Sequence, residues 1–99
     1  MSSLKMVMVA YNEAIDAEIM GVISHGKAQN YTKIKEAYGK GIASGTHLGD
    51  DIWPGRNNIL YVACDEEDAK ELMARVKELR KSLGKEGIKA FVIPLEEVT

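Results

Sequence analysis

Met6-Val7-Met8-Val9-Ala10 is a short, continuous apolar run with β-branched residues, and a helix start follows it at once. That combination predicts a buried strand over 6–10. Asn12 reads as an N-cap, with Glu13 and Asp16 in the first turn, where the helix dipole favours acids. Ile15, Ile19 and Val22, joined by Ile23, recur at helical spacing, and Gly26 is placed to stop that helix. Tyr31, Lys33 and Lys35 then alternate with Thr32, Ile34 and Glu36, which predicts a second strand over 31–37. Residues 58–64 (Asn-Ile-Leu-Tyr-Val-Ala-Cys) form the clearest strand of the chain. Asp65 is the N-cap of a second helix, with Asp68 three residues on. Ala69, Leu72, Val76, Leu79 and Leu83 follow at alternating spacings of three and four, the stripe of an amphipathic helix. Gly84 and Gly87 end it, and residues 89–94 make a last strand.

Between 38 and 56 neither period holds. Gly39, Gly41, Gly45, Gly49, Pro54 and Gly55 punctuate the segment, which reads as a long functional or mobile loop. The element order is β-α-β-β-α-β, the ferredoxin-like arrangement of the α+β class. Right-handed crossovers place both helices on one face of a four-stranded antiparallel sheet. The other face is the informative one. Met6, Met8 and Ala10 alternate with Val7 and Val9; Ile59, Tyr61 and Ala63 with Leu60 and Val62; Phe91 and Ile93 with Ala90 and Val92. Both alternating sets are apolar, whereas a sheet with one wet face alternates apolar with polar. Each large side chain left in water forgoes about 1.5–3 kcal/mol. The pattern therefore predicts an oligomer that buries the second face; the loop folding back over it is the alternative.

Composition narrows the function classes. The 99 residues suffice for one domain and one core, so 1–99 is read as a single unit. Lys plus Arg is 13 and Asp plus Glu is 15, a net charge of −2, which disfavours nucleic acid as a partner. Cys64 stands alone and cannot form an internal disulfide, which points to a reducing compartment. No apolar run approaches the roughly 20 residues of a membrane span, and the start has no secretory pattern. The expectation is a cytoplasmic protein.

The chemistry-bearing residues are few. His25 lies at a helix end, where the dipole favours a cation. His47 lies in the loop with Asp50 and Asp51; the three could hold a divalent metal, but the spacing is none of the standard zinc patterns. Cys64 beside Asp65 reads as a packing thiol, because the neighbouring carboxylate raises its pKa. No nucleophile–base pair, nucleophile elbow or P-loop is present, so an enzyme is not expected. Acylphosphatases and copper chaperones share this topology. The first strand–helix junction here, Tyr11-Asn12-Glu13, has neither the anion loop of the former nor the paired cysteines of the latter.

Two glycine-and-lysine segments remain: Tyr38-Gly39-Lys40-Gly41 after the second strand, and Gly84-Lys85-Glu86-Gly87-Ile88-Lys89 before the last. Glycines let backbone N–H groups approach an anion, and lysines supply charge. Arg56 adds a planar donor, while Trp53 reads as an apolar anchor of the loop. The ferredoxin-like order brings these segments to one site across a subunit boundary.

The stretch from Asn30 to Gly41 resembles the second strand and T-loop start of the PII nitrogen-regulatory signalling proteins. Phe91-Val92-Ile93-Pro94-Leu95-Glu96-Glu97 is similar to that family's Phe-Val-x-Pro-Val-Glu-Glu ending. Gly84-Lys85-Glu86-Gly87 with Lys89 is similar to its phosphate loop after deletion of one residue. The resemblance implies a PII-like homotrimer with inward-facing sheets and a nucleotide, ATP or ADP, between subunits. It departs from PII in three places. The loop from Lys40 to Asn57 is shorter than a T-loop and lacks its modifiable tyrosine motif. Gly41 stands where PII has the Gln that helps hold magnesium and 2-oxoglutarate. The phosphate loop lacks its Asp. Residues 45–57 look instead like a group of short PII-like proteins.

The expected function is thus a non-enzymatic regulator. A small anionic ligand, ATP or ADP by the resemblance, contacts Tyr38, Gly39, Lys40, Gly41, Arg56, Gly84, Lys85, Gly87 and Lys89. The 38–56 loop then acts on a partner protein, a transporter or an enzyme. The alternative is a metal-responsive trimer, PII-like or CutA-like, using His47, Asp50 and Asp51.

Overall fold

The computed structural model describes residues 3–38, 56–83 and 87–99. Strand β1 spans Leu4–Asn12 and runs into a single 3-10 turn, Glu13–Ile15, which feeds helix α1, Asp16–His25. Strand β2 (Thr32–Ala37), strand β3 (Asn57–Asp65), helix α2 (Glu66–Leu83) and strand β4 (Ile88–Pro94) follow. The sheet order is β2-β3-β1-β4, and every neighbouring pair is antiparallel. The α+β, ferredoxin-like expectation holds, and each expected strand and helix is present.

The differences lie at the ends. β1 is longer than its apolar run, because Leu4, Lys5, Tyr11 and Asn12 stay paired to β3 along the whole ladder. Asn12 does act as a cap: its side-chain oxygen accepts from the Ala14 N–H at 2.8 Å. What it caps is the 3-10 turn, and α1 starts three residues later than the capping pattern implies. Asp65 caps α2 as expected, its carboxylate accepting the Asp68 N–H at 2.9 Å.

Register decides which apolar set is buried. Val7 pairs with Val62 and Val92, Val9 with Leu60 and Ala90, and Tyr11 with Asn58 and Ile88, so these residues share one face. Val7, Val9, Tyr11, Leu60, Val62 and Ile88 are all buried there, in one cluster with Ile19 and Ile23 of α1 and Ala69, Leu72 and Val76 of α2. Both helices therefore cover the same face. The opposite face carries the row Thr32, Tyr61, Met8, Phe91 and, beside it, Ile34, Ile59, Ala10, Lys89. On it Ile34, Phe91 and Ile93 are 45%, 46% and 43% exposed in the single chain, so within the described residues nothing covers them.

Candidate functional site

The sequence-predicted ligand residues that the structure describes are Tyr38, Arg56, Gly87 and Lys89. All four lie at one end of the sheet, where β1 passes into the 3-10 turn. Tyr38 follows the last residue of β2 and is 82% exposed. Arg56 precedes β3, which pairs Asn57 with both Ala37 and Asn12. Gly87 precedes β4, and Lys89 lies opposite Ala10 on the open face. Gly39, Lys40, Gly41, Gly84 and Lys85 fall outside the described residues, as do His47, Asp50 and Asp51 of the metal alternative. Among the described residues, no three His, Cys, Asp or Glu come together as metal ligands.

Two consecutive backbone amides tie this end together. The Asn12 N–H donates to the Gly87 carbonyl at 2.9 Å, and the Glu13 N–H donates to the Arg56 carbonyl at 3.0 Å. The last residues of the two candidate ligand loops are thus anchored on either side of one junction. Gly87 has φ +87°, a left-handed conformation that L side chains rarely adopt, and its ideal Cβ position lies in ordinary contact with Asn12, so backbone geometry rather than space asks for glycine. Arg56 Nη1 donates to Glu13 Oε2 at 3.2 Å, so its guanidinium is already held near the junction, at an exposed site where a new anion can reach it.

The edges matter as much as the end. β2, leading to Tyr38, is one edge strand; β4, carrying Lys89, is the other. Three inter-strand spacings, about 14 Å, separate them. One chain therefore offers the two halves of the predicted site on opposite flanks.

Sequence reasoning missed a polar cluster beneath this end. The Tyr11 hydroxyl donates to Asp16 Oδ1 at 2.5 Å, the Asn58 amide donates to the same oxygen at 3.2 Å, and Lys33 Nζ approaches it to 2.9 Å. Tyr11's hydroxyl, ahead of the Lys33 and Asn58 donors, holds the Asp16 carboxyl below its ordinary 3.8. Burial, and then the bond to Asp16, pushes the Tyr11 phenol above its ordinary 10. The cluster pins α1 to the start of β2 and so fixes the edge that leads to Tyr38. Its one sequence signal is that Tyr11 and Asn58 continue the alternation of the buried set, each placing a polar atom where Val or Leu stands elsewhere.

The Cys64 thiol is pushed up by burial and by Asp68 and Asp65, which fits the packing role. Neither described helix is long and apolar enough to cross a membrane.

No protein-family model and no curated protein matches the chain. Solved structures do. A putative PII-like signalling protein of Thermus thermophilus is similar over 95% of this chain and 87% of its own, at TM-score 0.68 and 21% identity. CPII of Thiomonas intermedia K12, bound to ADP, AMP and acetate, is similar over 99% of this chain and 91% of its own, at TM-score 0.74 and 16% identity. The same protein bound to ADP, AMP and bicarbonate gives TM-score 0.70 at 15% identity, covering 97% and 91%. The chain has the fold of the PII-like signalling proteins.

Proposed function

We propose that this protein is a non-enzymatic PII-like regulator of the cytoplasm. It assembles as a homotrimer and binds a small anion of the ADP or ATP class in clefts between subunits. Ligand occupancy is passed to a partner protein, a transporter or an enzyme, through the 38–56 segment. The observation that carries the reading is the split site: Tyr38 and Arg56 stand on the β2 side of the sheet end, Gly87 and Lys89 on the β4 edge. A ring in which the β2 edge of one subunit meets the β4 edge of the next joins the halves, and it buries the apolar open face inside. The adenine nucleotides in the CPII structures support the ligand class.

Lys89 carries most of the charge contact. Its backbone is fixed in β4, so its ammonium group loses less freedom on binding than a loop lysine does. Calorimetry with ADP and ATP tests this. Lys89→Ala is expected to lose at least about tenfold in affinity, since a hydrogen bond to a charged group contributes about 1.5–3 kcal/mol. Lys40→Ala loses less. Equal binding by wild type and Lys89→Ala overturns the assignment of this lysine, and no binding of either nucleotide by wild type overturns the ligand class.

A further inference from the structure

The helix layer does not cover the whole sheet. Between α2 and edge strand β4 runs a groove whose larger part has a volume of about 400 Å³, and a smaller extension of about 180 Å³ continues it along α2 to Arg80. From Glu66 to Arg80 the groove follows α2 for roughly 21 Å, four helical turns. Its floor is apolar and low: Ala69, Met73, Ala90 and Val92, the last 42% exposed although it points to the helix side of the sheet.

The rim is mainly cationic. Lys5, Lys70, Lys77, Arg80 and Lys89 line it, against the single acid Glu66. None of the five cations has a carboxylate within ion-pair distance among the described residues, while Arg75 and Lys81 of α2 do. Arg80 Nε is buried with no hydrogen-bond partner among the described residues, a donor left unsatisfied at the groove's far end. This concentration of positive charge stands in a chain whose net charge is −2.

We propose that this groove docks an acidic amphipathic helix of a partner protein. The shape asks for a third helix in the layer, lying beside α2 at the usual 8–10 Å and over β4. The apolar floor asks for an apolar stripe on its underside, and the rim asks for Glu or Asp on its flanks. A nucleic-acid backbone satisfies the charge but leaves the floor uncovered. The groove is on the helix side, so it stays outside when the open sheet faces pack together. The proposal does not depend on nucleotide binding.

Fluorescence anisotropy on the full-length protein tests it with a synthetic 18-residue peptide bearing a leucine stripe flanked by glutamates. Controls are a scrambled peptide of the same composition and a 20-nucleotide oligothymidylate. The expected result is saturable binding of the patterned peptide that weakens with salt. Lys70→Glu/Lys77→Glu weakens it at least about tenfold. Ala74→Arg, which adds a positive charge but fills the groove, weakens it as well, and circular dichroism confirms that both variants keep the wild-type fold. No saturable binding overturns the proposal, as does equal binding of the scrambled peptide. Tighter binding by Ala74→Arg shows a mere charge effect and overturns it too. Tighter binding of the oligonucleotide than of the peptide replaces the occupant and overturns it equally.

Discussion

Asp16 is the residue on which the most depends. Three donors from three places in the sequence, Tyr11, Lys33 and Asn58, converge on its carboxylate. Its folded pKa lies below the ordinary 3.8. The stability gained from its ionised form is therefore present above about pH 4, and is lost as pH falls through the lower folded value. Tyr11→Phe removes the strongest donor. At pH 7 it is expected to destabilise the fold by about 1.5–3 kcal/mol, the usual loss for a hydrogen bond to a charged group. As pH falls below the ordinary 3.8 and on through the lower folded value, the gap between variant and wild type narrows, because a protonated Asp16 gains less from the hydroxyl. Urea unfolding at pH 7 and across the acid range measures this, and a gap that stays undiminished throughout contradicts it. None of these contacts is visible from spacing, since their sequence separations of 5, 17 and 42 fit no local period.

β2 shows both what alternation reveals and what it hides. The alternation of Tyr31, Lys33 and Lys35 with Thr32, Ile34 and Glu36 marks a strand, and Thr32, Lys33 and Ile34 do pair in register with Tyr61, Leu60 and Ile59. Beyond Ile34 the register shifts, and Glu36 has φ +58°, in the left-handed region. Nothing in the pattern announces that irregularity, because glutamate is not a residue that favours positive φ. A β-branched residue tolerates it least. Glu36→Val is expected to cost about 1–2 kcal/mol relative to Glu36→Gly, read as a lower melting temperature, and equal stability of the two variants sinks the bulge assignment. α2 was the more legible element. Its Asp65 cap, its three-and-four stripe and its buried Ala69, Leu72 and Val76 all follow from the sequence, since cap and stripe are local features. The groove beside it was not legible, because which strand a helix leaves uncovered depends on sheet order rather than on the helix.

At the scale of the whole molecule, the doubly apolar strands were the strongest sequence signal. The structure resolves them into a buried set under the helices and an open set led by Ile34, Phe91 and Ile93. The candidate site was legible in part. The glycine-and-lysine segments supplied candidate residues, and the division of the described ones, Tyr38 and Lys89, between opposite edges of one sheet follows only from the strand order β2-β3-β1-β4. The proposed trimer accounts for that division and for the open face together, by arranging neighbouring copies of the chain edge to edge. Light scattering on a sizing column at micromolar concentration measures it most directly. A single species at three times the 10.9 kDa chain mass is the predicted result, and a stable species at one chain mass contradicts the shared cleft and the inward-facing sheet together.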